Sequence, residues 1–140
     1  MGARSSGRES ALQMLFAFEA GGGNAEQVIA AYWRETPGDP EGREYADAAV
    51  RGVAGDLAKI DEAIKKASTN WRIERMARVD RNVLRLGAWE LQQIVSVPRA
   101  VILDEAVELA KRFGSEESGA FVNGVLDRVA SDLGRVDKDR

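Results

Sequence analysis

The stretch Asp80-Arg81-Asn82-Val83-Leu84-Arg85-Leu86-Gly87-Ala88-Trp89-Glu90-Leu91 decides the fold class. Leu84, Ala88, Leu91 and, further on, Val95 follow at i, i+4, i+7 and i+11, the spacing of one apolar face on a helix. Asp80 reads as the cap that opens this helix. Val97-Pro98 reads as its stop, because proline disfavours helix in the residue before it. Almost no stretch of the chain alternates with period two, so the helical reading extends outward in both directions.

Towards the C-terminus, a helix is expected from about Ala100 to Phe113, with Gly114 as its C′ residue. Ser115 reads as the cap of another, whose Phe121, Val122, Val125, Leu126 and Val129 form a buried stripe. The mixed-charge tail from Gly134 onwards is expected to fray. Towards the N-terminus, Ser68 to Val79 is irregular, with one short turn around Ile73 and Met76. Before it, Leu57, Ile60 and Ile64 mark a helix that Gly55-Asp56 separates from another carrying Tyr45, Ala46, Ala49, Val50 and Val53. Thr36-Pro37-Gly38-Asp39-Pro40 is a loop. Asn24 caps a helix that buries Val28, Ile29, Tyr32 and Trp33, and Gly21-Gly22-Gly23 ends the one before it. That first helix opens on a capping box of Ser6 and Glu9 and carries Leu12, Leu15 and Phe16. The expectation is an all-α compact bundle of about seven helices, with short loops that make neighbours antiparallel.

A chain of 140 residues, 44% hydrophobic and 31% charged, is long enough for one domain or two small halves and too apolar for disorder. Cysteine and histidine are both absent, which removes thiolate nucleophiles, the commonest general base and the usual zinc ligands. Serine triads and zinc fingers are thereby excluded, and no metal or cofactor is expected. With no long apolar run and no signal-peptide pattern, a cytoplasmic protein is the default expectation. Gly52-Val53-Ala54-Gly55 reads as a helix end, not a phosphate loop. Glu105 and Glu108 share a helical face, but a carboxylate-bridged metal pair in a bundle also wants histidines, so a solvated acidic face is the better reading. Nothing here points to catalysis.

The net charge of −3 is unevenly spread. Arg4 and Arg8 precede the first acid, and Arg72, Arg75, Arg78, Arg81 and Arg85 outnumber Glu74 and Asp80 over residues 71–85. Residues 35–47 hold Glu35, Asp39, Glu41, Glu44 and Asp47 against Arg43 alone. Any nucleic-acid contact must therefore be a local patch on an acidic body. The arginine series reads first as a solvated face whose stems cover apolar surface, and second as such a patch. Asn123-Gly124 interrupts a strong helical stripe at a cost of about 1 kcal/mol in helix propensity. Close packing at Gly124 or a contact by the Asn123 amide would account for it. Trp71 and Trp89 are expected to be structural, each buried among helical segments.

Four segments together resemble the NusB family of transcription antitermination factors over essentially the whole chain. They are Arg8-Glu9-Ser10-Ala11-Leu12-Gln13 with Leu15-Phe16, then Ile60-Asp61 through Trp71. The third is Val79-Asp80-Arg81-Asn82-Val83-Leu84-Arg85-Leu86 with Glu90-Leu91 and Val97-Pro98. The fourth is Asp104-Glu105-Ala106-Val107-Glu108-Leu109-Ala110-Lys111 with Phe113-Gly114, Ser118 and Phe121-Val122-Asn123-Gly124-Val125-Leu126-Asp127. The last two, in that order and spacing, are specific.

The resemblance implies a single domain over 1–140 without enzymatic activity. Its N-terminal subdomain would end at about residue 67, its C-terminal subdomain would cover about 68–134, and residues 135–140 would fray. It implies a heterodimer with the ribosomal protein NusE that binds the boxA element of single-stranded RNA. Within the transcription elongation complex, that assembly would promote read-through, notably of ribosomal RNA operons. The implied RNA-binding residues are Arg4, Arg8, Gln13, Phe16, Glu117, Phe121, Asn123 and Arg128. Phe16 keeps a stacking face but lacks the hydroxyl of the tyrosine common in the family, and Gly119-Ala120 replace basic or histidine side chains. The implied partner-binding residues are Asp80, Arg81 and Glu90. Two alternatives stand beside this reading. One is a self-associating homodimer that masks the RNA surface, and the other is an RNA-binding domain related to ribosomal RNA cytosine methyltransferases.

Overall fold

The computed structural model of the chain describes residues 2–37 and 40–135. Among them are seven α-helices, one short 3₁₀ turn and no strand, in two compact units that divide between Asp56 and Leu57. The sequence placed that division near residue 67. It falls earlier because α4 (Leu57–Ala67) packs on α5 (Arg78–Gln93) and α7 (Ser118–Asp132). No helix among the described residues is long and apolar enough to cross a membrane.

The first unit holds α1 (Ala3–Glu19), α2 (Ala25–Glu35) and α3 (Pro40–Gly55). Helix α1 begins earlier than the expected capping box. Gly2 is the N-cap, and the Ser6 N–H already donates to the Gly2 carbonyl at 3.1 Å. The first turns are held against α3 through two glycines, since a Cβ on Gly7 would lie 2.7 Å from the Gly42 carbonyl oxygen. At its other end the helix closes in a Schellman motif: Gly21 has φ +88°, its N–H donates to Phe18, and the Gly22 N–H donates to Ala17. Asn24 and Gln27 then form a reciprocal capping box, each side chain accepting the other's backbone N–H at 2.9 Å. Val28 and Ile29 are buried, whereas Tyr32 and Trp33 are half-buried: the tyrosine hydroxyl meets Ser10 and the indole N–H donates to Asp47 at 2.7 Å. Of the expected 36–40 loop, residues 38 and 39 lie outside the described residues.

The second unit adds the 3₁₀ turn Ile73–Arg75 and α6 (Arg99–Phe113) to α4, α5 and α7. Its core is aliphatic, with Ile60, Ile64, Leu84, Ile102, Leu103 and Leu126 fully buried. Helix α5 is capped by Ala77, and Asp80 sits a turn inside it without the expected cap bond. Val95 falls beyond the helix end and is 80% exposed, so the apolar stripe stops at Leu91. Arg85 and Asp61 join α5 to α4 through paired bonds of 2.9 and 3.0 Å.

Two helix ends differ from expectation. Gly114 is the C-cap of α6 and is extended (φ −106°), not left-handed. A side chain there would meet the Ser118 hydroxyl at 2.5 Å and the Ala110 carbonyl at 2.7 Å. Ser115 does not cap α7; its own N–H donates to the Ser118 hydroxyl at 3.0 Å, across the turn that leads into the helix. Nor does the chain fray at Gly134. With φ +70°, Gly134 closes a second Schellman motif in which its N–H donates to Ser131 and the Arg135 N–H to Ala130. The Arg135 guanidinium then donates to the carbonyls of Glu90, Leu91, Ile94 and Val97 at the end of α5 and in the turn that follows. The rest of the expected frayed tail, 136–140, lies outside the described residues.

Candidate nucleic-acid interface

In the first unit, the two N-terminal arginines flank one ring. Arg4 is exposed and Arg8 is only 2% exposed, yet each guanidinium sits 5.5 Å from the centre of Tyr45. Arg8 of α1 is therefore packed against α3, and of the two expected N-terminal contacts Arg4 is the exposed one. Arg4 borders a hollow of about 340 Å³ shared with Tyr45, Glu41 and Glu44, which places two acids beside it. Gln13 is exposed and Phe16 half-buried on α1.

The second unit contains a more developed site. Trp71, Arg75, Met76, Ala77, Asp80, Glu117 and Phe121 line an apolar groove of about 320 Å³. The Trp71 and Phe121 rings meet edge to face, with centroids 5.9 Å apart and planes at 79°. Trp71 is 60% exposed, which overturns its expected burial, whereas Trp89 is buried as expected. The difference is local: Trp89 lies in the middle of α5, while Trp71 sits in the polar turn Ser68-Thr69-Asn70 that precedes the 3₁₀ segment.

That turn is irregular but anchored. Buried Ser68 donates its hydroxyl to Ile64 at 2.8 Å and to the Trp71 carbonyl at 3.3 Å, and the Trp71 N–H donates to Ser68 at 3.0 Å. From the other side, Arg81 donates to the carbonyls of Ile73 and Met76 at 3.1 and 3.0 Å. Arg81 thus holds the 3₁₀ turn against α5, and Glu90 is 1% exposed. Arg81 is half-buried, as Asp80 is. Asp80 alone of the expected partner residues borders the groove, and one of its carboxylate oxygens is buried without a hydrogen-bond partner.

The expected α7 residues separate. Glu117 and Phe121 share the groove, but Asn123 is about 200° round the helix from Phe121 and half-buried elsewhere. Arg128 is exposed and pairs with Asp132 at 3.1 Å. Gly124 is exposed, and a Cβ there would meet nothing within 4 Å, so close packing does not explain it. The arginine series likewise splits: Arg81 and Arg85 are held in the fold, while Arg72, Arg75 and Arg78 are exposed.

Sequence reasoning missed Trp71 and also Phe113, 36% exposed at the last residue of α6, with the Arg112 guanidinium 5.1 Å from its ring centre. An aromatic beside a helix stop, outside the apolar period, was the available signal. Glu74, close to Trp71, has its carboxyl held below the usual range, first by its own backbone N–H and then by the charges of Arg72 and Lys65. Among the described residues, no cluster of three or more acidic, histidine or cysteine side chains is placed to hold a metal.

The likenesses to known proteins run the length of the chain. A family model described as the NusB family matches residues 5–131. The transcription antitermination protein NusB of Sorangium cellulosum (strain So ce56) is 79% identical over 140 residues, covering all of both chains. A solved NusB of T. maritima superposes with a TM-score of 0.84 at 38% identity, covering 92% of this chain and 91% of that one. A chain from a crystal structure of the antitermination factors NusB and NusE in complex with dsRNA has a TM-score of 0.84 at 29% identity, covering 93% and 97%. The Sorangium protein and the NusE-bound chain are named as antitermination factors and not as enzymes. The chain belongs to the NusB family.

Proposed function

We propose that this protein is a transcription antitermination factor that pairs with NusE, binds boxA-type single-stranded RNA and promotes read-through by the elongation complex, notably in ribosomal RNA operons. The observation that carries this reading is the full-length likeness to a NusB solved with NusE and dsRNA. The surface chemistry is compatible with it. Sequence-specific recognition of RNA works best on unstacked bases that meet aromatic rings and hydrogen-bonding groups. Here Phe121, with Glu117 beside it, offers a ring in an open groove, and Phe16 offers a second, half-buried one on α1. Arg4, Arg128, Gln13 and Asn123 are the accompanying polar contacts in this proposal, and Asp80 marks the surface for the partner protein.

A few arginines on an acidic body give weak binding by themselves, since each neutralised phosphate on a single strand contributes a salt slope of only about −0.7. The partner is therefore expected to complete the site. Fluorescence-polarisation titration of a boxA single strand, its duplex and a scrambled strand against the chain, NusE and the mixture tests this. The mixture should bind the boxA single strand more tightly than either protein alone and more tightly than the scrambled strand. Equal binding of boxA and scrambled RNA by the mixture would overturn the reading.

A further inference from the structure

We propose that Trp71 stacks an RNA base, and that the hollow on its far side carries the adjoining stretch of backbone. The proposal rests on the RNA-binding reading above and names a residue and a direction for the strand.

A tryptophan 60% exposed on a turn fixed from both sides is an unusual use of the largest apolar side chain. Its backbone is held by Ser68 at one end, and the segment after it by Arg81 at the other. The ring is thus presented on a rigid mount. The edge-to-face contact with Phe121 makes a two-walled corner. A flat heteroaromatic lying on one ring meets the other edge-on, which is the arrangement aromatic rings favour.

Polar groups flank this corner in the way a nucleotide needs. On the Phe121 side the groove carries the Glu117 carboxylate, an acceptor for the N–H groups of a base edge, and the Arg75 guanidinium, a donor to its oxygen and ring-nitrogen acceptors. On the far side, Trp71 also lines a polar hollow of about 350 Å³ with Lys65, Asn70, Arg72 and Glu74. Two cations face one acid there, and Arg72 lies 3.5 Å from Glu74 in an exposed pair that a phosphate can compete for. Base inward and phosphate outward is the polarity that single-stranded RNA supplies. An apolar peptide would leave the far hollow without a counterpart.

The test uses the full chain with NusE and a boxA single strand. Trp71→Ala should weaken RNA binding about five- to one-hundred-fold, the range expected when one stacking ring is lost. Trp71→Phe should recover much of that loss. The Lys65→Ala, Arg72→Ala double variant should flatten the salt slope by about 0.7 per lost phosphate contact. In the wild-type chain, RNA should quench tryptophan emission, and Trp71→Phe should abolish that quench; this readout does not depend on the alanine variant folding. If Trp71→Ala melts like wild type and binds RNA equally well, the inference falls while the RNA-binding reading stands. Loss of NusE capture by Trp71→Ala in the absence of RNA would instead assign the corner to the protein partner and overturn the proposal. Failure of the wild-type mixture to bind boxA would remove both.

Discussion

Between α1 and α3 of the first unit, two glycines, Gly7 and Gly42, face each other backbone against backbone. Between α5 and α7 of the second, one glycine, Gly87, faces a leucine side chain. A Cβ on Gly7 would meet the Gly42 carbonyl oxygen at 2.7 Å, and a Cβ on Gly87 would meet Leu126 Cδ1 at 2.6 Å. The distances are almost equal, but the neighbours are not. A helix backbone yields only if the whole helix moves, whereas the tip of a leucine can change rotamer within its pocket. The first unit is therefore brittle where its helices touch, and the second can absorb change.

The largest expected effect tests the aliphatic side of that contrast. Leu126→Ala removes a fully buried side chain and should cost about 2–5 kcal/mol, read as a lowered midpoint in urea with m unchanged. Gly7→Ala should cost about 1–3 kcal/mol, because overpacking against a carbonyl outweighs the usual gain of alanine over glycine in a helix. Gly87→Ala should stay within about 1 kcal/mol of wild type, the helix gain offsetting a shifted leucine. In a double-mutant cycle, Gly87→Ala should be more favourable in the Leu126→Ala background than alone, by about 0.5 kcal/mol or more. Equal costs at Gly7 and Gly87 would erase the proposed difference between the units. The smallest effect is the control: Gly124→Ala, with open space around the new methyl, should raise stability by just under about 1 kcal/mol.

Much of the architecture was legible in the sequence because it rests on local signals. The 3.6-residue period located the seven helices, and the Gly21-Gly22-Gly23 stop and the Asn24 cap appear where short-range chemistry puts them. What escaped were features that residue type alone does not set. Ser6 and Asp80 are good caps by type, but the backbone bonds from Ser6 to Gly2 and from Arg81 to Ala77 carry both helices past them. Gly134-Arg135 reads as a polar tail until the end of α5 is brought beside it. The candidate site divides in the same way. Phe121 and Glu117 share a groove, yet sequence register alone could not show that Asn123 points elsewhere, that Arg8 and Glu90 are buried, or that Trp71 is displayed. A charge pattern says which residues prefer water; it does not say which of them the fold covers.

The grip of Arg135 on four carbonyls bears on how this chain meets a protease. Trypsin must draw an arginine side chain into its specificity pocket and the flanking backbone into an extended strand. Arg135 offers neither: its guanidinium is spread over the end of α5, and its own carbonyl accepts a bond from Arg99 at 2.8 Å. The bond after Arg135 should therefore be cut more slowly than those after the exposed Arg72 and Arg75, and the last amides of α7 should exchange with deuterium as slowly as those in the middle of the helix.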